Sequence, residues 1–333
     1  MLWAPMKASI FARLDECARN GERIALGLIT GVKGSSPQKV GAKAIFHLDG
    51  RIDGTLGGGC LEAEIQQRAL KALRTGKPEA FDLLLDHDFG WDDGLICGGK
   101  VLGLILPDAA TASAAIWPAL AARMQTLVWG VREGFEIALG SREIPSANWL
   151  YQETIQPPCP LWIAGAGHIA QAVAPLAGQL DFQVTVFDDR PALANHQFFP
   201  QNISLQAGPW EQLAATPLPE LPSFALIVTR GHRHDALVLK DWIHKPFQFI
   251  GMIGSSRKAR TIFEHFREEK LATEAQLARV ACPVGLGIHA RSVEEIAVSI
   301  LAQMIQKRAE LRDPRGGPGE EAIKSQPADV MTI

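Results

Sequence analysis

The chain has 333 residues, more than one domain usually holds, so two domains are expected. Hydrophobic residues make up 47% and the net charge is −3, which excludes disorder throughout and leaves no basic footprint for nucleic acid or an anionic membrane surface. No apolar run reaches bilayer length and the start, Met1 to Phe11, is too weakly apolar for a signal peptide, so a cytoplasmic location is expected.

In chain order, Ile10, Leu14 and Cys17 fall at helical spacing and predict a first amphipathic helix. Ile24 to Thr30 reads as a buried strand. Ala42 to Leu48 reads as a second, closed by the turn pair Asp49-Gly50 and returning through Arg51-Ile52-Asp53. Leu61, Ile65, Ala69, Leu70 and Leu73 predict a helix ended by Gly76 and Pro78. Strands are expected at Val101 to Leu106 and Thr126 to Val131, the latter turning through Glu133-Gly134 into Phe135 to Leu139. Arg142 to Pro160, polar and carrying Pro145, Pro157, Pro158 and Pro160, reads as the interdomain linker.

From Leu161 strands and helices alternate, the pattern of a mostly parallel, doubly wound sheet. Strands are expected at Leu161 to Ala164, Val184 to Phe187, Ile203 to Gln206, Leu226 to Val228 and Phe249 to Ile253, with a helix after Gly167. Ser292 with Glu295 predicts a capping box opening a last helix to about Leu311. The fold class is therefore α/β: an N-terminal α+β domain (1–141), a linker (142–160), a Rossmann-like domain (161–312) and a flexible tail (313–333).

Five stretches carry possible chemistry. Gly165-Ala166-Gly167-His168-Ile169-Ala170 matches GxGxxA between a strand and a helix. Gly165 permits a tight turn, Gly167 lets a phosphate approach the backbone, and Ala170 allows close helix–strand packing. Asp188 ends the next strand, where an acid can hold a ribose hydroxyl. NAD(P), another nucleotide, a pterin phosphate or plain packing each account for these glycines. In a second strand-to-helix loop, Gly251-Met252-Ile253-Gly254-Ser255-Ser256-Arg257-Lys258, the serines can cap the helix and Arg257 or Lys258 can meet a negative charge, with Ser255 a candidate cofactor contact; the alternative is a capped helix with solvated basic residues. The segment Thr229-Arg230-Gly231-His232-Arg233-His234-Asp235 puts His232 and His234 at a strand's carboxyl end, as ligand contacts or as surface residues of a capped helix.

The other two stretches are cysteines beside glycines. Gly57-Gly58-Gly59-Cys60 places Cys60 at the expected start of a helix, where the macrodipole favours a thiolate. Cys97-Gly98-Gly99 follows an acidic stretch, Asp86, His87, Asp88, Asp92 and Asp93, whose spacing reads as a solvated loop. Thiolates at Cys60 and Cys97 could ligate a soft metal such as molybdenum or carry persulfide sulfur; the alternative is two small packed thiols. Five widely spaced cysteines (Cys17, Cys60, Cys97, Cys159 and Cys282) without a CxxC argue against a disulfide framework and a structural zinc site.

The order of these motifs resembles the XdhC/CoxI family, the xanthine dehydrogenase accessory factors. It rests on Gly34-Ser35-Ser36-Pro37, Gly41-Ala42-Lys43, Gly54-Thr55-Leu56-Gly57-Gly58-Gly59-Cys60-Leu61-Glu62-Ala63-Glu64 and Cys97-Gly98-Gly99. In the second half it rests on Gly165 to Ala170, Asp188-Asp189-Arg190-Pro191, Ile250 to Ser255, Cys282-Pro283-Val284-Gly285-Leu286 and Glu294 to Ile300. The chain departs from the family at Gln38, where Arg is common, and at Gly287 and His289, where Asp and Gly are common. The resemblance implies a dimeric cofactor chaperone, not an enzyme with turnover. Such a protein binds molybdenum cofactor, supports its sulfuration by a cysteine desulfurase and hands it to a xanthine dehydrogenase-type molybdoenzyme. It makes Cys60 and Cys97 candidate contacts for molybdenum or sulfur, and the glycine loop a candidate pterin-phosphate cradle. The rival expectation is an NAD(P)-dependent oxidoreductase using the GxGxxA site and Asp188.

Overall fold

The computed structural model describes residues 9–34, 36, 38–84, 99–140 and 148–312. Among these, contacts divide the chain at Pro157–Pro158 into two compact units. No helix of the described residues is long and apolar enough to cross a membrane.

The N-terminal unit runs α1 (Ile10–Arg19), β1 (Ile24–Lys33), β2 (Lys43–His47), β3 (Ile52–Gly54), α2 (Gly59–Thr75), β4 (Glu79–Leu84), β5 (Lys100–Pro107), α3 (Ala109–Ala112), α4 (Trp117–Ala122), β6 (Leu127–Arg132), β7 (Ile137–Gly140) and β8 (Trp149–Ile155). Strands β3-β2-β1-β5-β4 form one antiparallel sheet and β7-β6-β8 a second. The two-residue alternation of β1 explains why it is apolar throughout. Ile24, Leu26 and Leu28 join the core built with Phe11, Leu14, Trp117 and Trp129. Ala25 and Ile29 face the opposite core, against Leu61, Ile65 and Leu73 of α2. Gly76 at φ 68° ends α2, as its position after the last apolar residue predicts.

Two features of this unit were not legible in the sequence. Trp149–Ile155, inside the stretch expected to be a linker, is β8, and it pairs along the length of β6. Its polar look follows from its place at a sheet edge, with Tyr151 turned into the core. Strand β4, whose alternating burial runs from Ala80 to Leu84, was too short between charged residues to stand out.

The second unit is β9 (Cys159–Ala164), α5 (His168–Gln179), β10 (Phe182–Asp188), β11 (Ser204–Ala207), α6 (Trp210–Ala214), β12 (Phe224–Ile227), α7 (His232–Trp242), β13 (Phe249–Met252), α8 (Ser256–Glu268), α9 (Glu274–Leu277), β14 (Val280–Ala281) and α10 (Val293–Arg312). The six strands are parallel in the order β11-β10-β9-β12-β13-β14. Counted within the unit, this is the 3-2-1-4-5-6 order of a Rossmann sheet, confirming the expected doubly wound fold. Strand β9 is buried at every position. Leu161 and Ile163 meet one core with α5 and α10, while Trp162 and Ala164 meet the other with Trp242 and Phe247. The capping box of α10 is present: Glu295 N–H donates to Ser292 Oγ at 3.2 Å, and Ser292 N–H to Glu295 Oε2 at 3.0 Å. Residues 313–333, expected to be a flexible tail, lie outside the described residues.

Candidate functional site

The Rossmann sheet reverses its winding between β9 and β12, and ligands of such sheets bind outside the strand ends there. Both loops at this point come from the motifs singled out in the sequence. After β9 the chain turns at Gly165 (φ 109°), Ala166 and Gly167 into α5. After β12 it passes Thr229, Arg230 and Gly231 into α7. A Cβ on Gly165 would lie 2.4 Å from the Val228 carbonyl oxygen, so the two loops touch backbone to backbone. Only glycine meets both demands at this position.

Asp188 lies in the crevice wall at the end of β10, fully buried. Its carboxylate accepts from Ala166 N–H at 2.6 Å and Arg190 N–H at 2.9 Å, and takes a two-pronged bond from the Arg190 guanidinium, Nε and Nη2 each at 2.8 Å. Burial alone would raise its pKa. The Arg190 guanidinium and the two backbone N–H groups outweigh burial and hold the carboxyl below the usual carboxylate range. A ribose hydroxyl at Asp188 would have to share these bonds or displace Arg190.

A second buried acid, Asp235 in the first turn of α7, ties the neighbouring loops together. It accepts from Thr229 Oγ1 at 2.6 Å and Thr229 N–H at 3.1 Å, and pairs with Lys258 Nζ. Lys258 also donates to the Ile253 carbonyl at 3.0 Å. The sequence suggests Lys258 as an anion contact; in the fold its ammonium closes on a carboxylate under the β13 loop instead. Asp235, missed as a site residue, had a readable signal in an acid one turn into a helix that follows Thr-Arg-Gly.

Three helix N-termini therefore open at the strand ends: α5 at His168, α7 at His232 and α8 at Ser256. Ser255 caps α8, accepting from Lys258 N–H at 3.3 Å. His168, His232 and Ser255 are exposed. Arg230 reaches across the β9 turn to Asp189 at 2.8 Å and lies 3.3 Å from His234 Nε2. Two glycines here are unexplained by the chain's own packing. Gly167 (φ −77°) and Gly231 (φ 178°) precede α5 and α7 in backbone conformations open to any residue. A Cβ added at either would meet nothing within 4 Å. The space that a side chain would fill lies at two helix N-termini, where backbone N–H groups attract anions.

In the N-terminal unit, Gly57, Gly58 and Gly59 take φ of 120°, 72° and 60°, so the turn into α2 requires glycine through its backbone. Cys60 is the second residue of α2, with a partly exposed side chain. Glu62 does not cap α2. Its Oε2 accepts from Thr55 Oγ1 and Leu56 N–H, each at 2.8 Å, holding the approach to the glycine turn. Glu64 pairs with Arg68 at 2.7 Å. Cys97 and the acidic stretch Asp86 to Asp93 lie outside the described residues.

Comparison with known proteins adds the family. A model described as the XdhC Rossmann domain matches residues 161–304, and one described as the XdhC and CoxI family matches residues 17–86.

The chain belongs to the XdhC and CoxI family.

Relatives include YqeB of Escherichia coli strain K12, 27% identical over 90% of this chain, which spans only 46% of that protein's length. A Bacillus subtilis strain 168 protein, named as a probable xanthine dehydrogenase subunit, is 26% identical over 89% of this chain and 96% of its own. The molybdenum cofactor insertion chaperone PaoD of E. coli strain K12 is 24% identical over 88% of this chain and 86% of its own. A crystal structure from Bacillus halodurans, described as a xanthine dehydrogenase, superposes with a TM-score of 0.76 over 92% of this chain and 97% of its own at 24% identity, a likeness of fold. In this XdhC and CoxI family chain, the Rossmann match takes in Gly165, Gly167, His168, Asp188, His232 and Ser255, and the other match takes in Gly57 to Cys60.

Proposed function

We propose that this protein binds molybdenum cofactor and assists its sulfuration and insertion into a xanthine dehydrogenase-type molybdoenzyme. The observation that carries the reading is the pair of unencumbered glycines, Gly167 and Gly231, at two helix N-termini of the switch-point crevice. The pterin phosphate is the anion that fits this cradle, with His168, His232, Arg230 and Ser255 around it. The relative named as a molybdenum cofactor insertion chaperone supports the choice of cargo. Cys60 and Cys97 are the thiols assigned to molybdenum or its terminal sulfur, since thiolate is the soft ligand that such a centre takes. A cysteine desulfurase and the recipient enzyme are the partners of this cycle, and the working form is a homodimer in the cytoplasm.

The test is anaerobic titration of the full chain with molybdenum cofactor, read as pterin fluorescence after oxidation. Tight binding that weakens in Gly167→Ala and in Cys60→Ala or Cys97→Ala supports both parts of the reading. Binding untouched by the cysteine changes removes the thiols from it. No binding by the wild type overturns it and favours the NAD(P) reading, which rests on the 3-2-1-4-5-6 strand order. NADH fluorescence enhancement on addition of the protein tests that alternative directly.

A further inference from the structure

The end of α1 and the β2–β3 hairpin bring together three side chains of metal-binding type that the Rossmann crevice does not use. Cys17 lies in the last turns of α1, Glu22 in the loop that follows, and His47 at the end of β2. Cys17 is fully buried and the His47 side chain is 4% exposed, while Glu22, at 34%, opens to solvent. Glu22 Oε2 is 3.6 Å from Cys17 Sγ and 3.6 Å from His47 Nδ1. One ligand atom from each residue lies within 4.8 Å of the other two. A tetrahedral zinc ion with ordinary bond lengths holds its sulfur, nitrogen and oxygen ligands roughly 3.3–3.6 Å apart. Both distances to Glu22 are thus at coordination spacing, and the Cys17 and His47 ligand atoms, within 4.8 Å of each other, need only a small inward shift.

The surroundings match a metal-binding histidine. His47 Nε2 is 2.9 Å from Asp53 Oδ2. A ring N–H directed at a carboxylate leaves the other nitrogen as the lone pair, and that nitrogen, Nδ1, faces Glu22. Asp53 is fixed in turn by Arg13, whose Nη2 is 3.1 Å away and which also pairs with Glu16. A cation already faces two of the three ligand atoms. The Arg51 guanidinium is 3.2 Å from His47 Nδ1 and 3.7 Å from Glu22 Oε2, on a side chain 49% exposed with solvent to swing into.

We propose that Cys17, Glu22 and His47 form a three-ligand site for a borderline divalent cation, zinc being the best match, with a solvent-facing fourth position. Asp53 orients His47, and Arg51 stands in for the cation when the metal is away. The mixed thiolate, imidazole and carboxylate set suits zinc and disfavours magnesium or calcium. On binding, the Cys17 S–H bond breaks, its proton leaves to solvent and the sulfur–metal bond forms, with no change of oxidation state. The metal ties α1, its following loop and β2 into one piece.

The test is titration of the chelator-treated full chain with Co2+, read by the thiolate-to-cobalt charge-transfer band and displaced by Zn2+. One equivalent should give the band, and Cys17→Ser should abolish it while Cys60→Ser, Cys97→Ser, Cys159→Ser and Cys282→Ser each keep it. Glu22→Gln keeps the size of the side chain and leaves the Cys17 thiol in place while removing the carboxylate it faces, and should weaken cobalt binding at least about tenfold. Asp53→Asn should weaken it by about ten- to a hundredfold. Arg51→Ala should tighten it, because the competing cation is gone. A wild-type protein without the band, a band that survives Cys17→Ser, or affinity unchanged by Glu22→Gln would overturn the site.

Discussion

The carboxylate of Asp188 and the backbone N–H of Ala166 meet at 2.6 Å, so the acid that ends β10 holds the glycine turn that follows β9. The same carboxylate grips Arg190 by its guanidinium. One buried charge thereby sets the shape of one crevice wall and the position of a cation at its rim.

Asp188→Asn keeps the shape of the side chain and removes its charge. Because Arg190 is one-third exposed and can reach water, the loss should be about 2–3 kcal/mol, below the range for a fully buried pair. Urea unfolding at neutral pH measures it; a change under about 0.5 kcal/mol would show that the clamp adds little.

The folded pKa of Asp188 is depressed, so its stabilisation is complete above the unfolded value of about 3.9 and is lost as pH falls through the lower folded value. Wild type and Asp188→Asn should therefore differ by a constant amount above about pH 4 and converge as the pH falls below it. Parallel curves over that range would assign the difference to packing instead of charge.

The two glycines of the turn should behave differently. Gly165→Ala forces a methyl group toward the Val228 carbonyl at positive φ and should destabilise the unit by about 1–3 kcal/mol or more. Gly167→Ala meets no atom and should leave the melting temperature unchanged while weakening molybdenum cofactor binding about tenfold, or 1.4 kcal/mol. Equal binding by wild type and Gly167→Ala would mean that no ligand approaches the backbone there.

Lys258 and Asp235 form a pair whose acid is wholly buried. Lys258→Met leaves that carboxylate its Thr229 bonds but no counter-charge and should cost about 3 kcal/mol, whereas the double variant Lys258→Met, Asp235→Asn should recover part of the loss. Additive losses in the double-mutant cycle would show that the two charges do not stabilise each other.

Thiol reactivity should follow exposure. In the native protein Cys60, partly exposed at the start of α2, should alkylate with iodoacetamide well before the buried Cys17 and Cys159, as peptide mass mapping can follow. Labelling of Cys17 or Cys159 at the rate of Cys60 would mean that their helix and strand open readily.

Periodicity and turn chemistry act over a few residues, which is why so much was legible in the sequence alone. The heptad-like spacing of Ile10, Leu14 and Cys17, the Asp49-Gly50 turn, the Gly76 stop, the continuous apolar strand Leu161 to Ala164 and the Ser292–Glu295 box all name their elements. GxGxxA after a strand named the Rossmann turn and the helix end where an anion can bind. What only the tertiary structure decided were contacts between residues far apart in the chain, or partners that local patterns do not code. The polar-looking stretch Trp149–Ile155 became a strand because β6 offered it an edge. Lys258 turned to Asp235, 23 positions away, because α7 and α8 start side by side at adjacent strand ends. Cys17, read from the sequence as one apolar position of the first amphipathic helix, came to lie beside Glu22 and His47 because α1 lies against the end of β2. Such pairings depend on how sheets stack helices in space, and a chain order of residue types carries no distance between them.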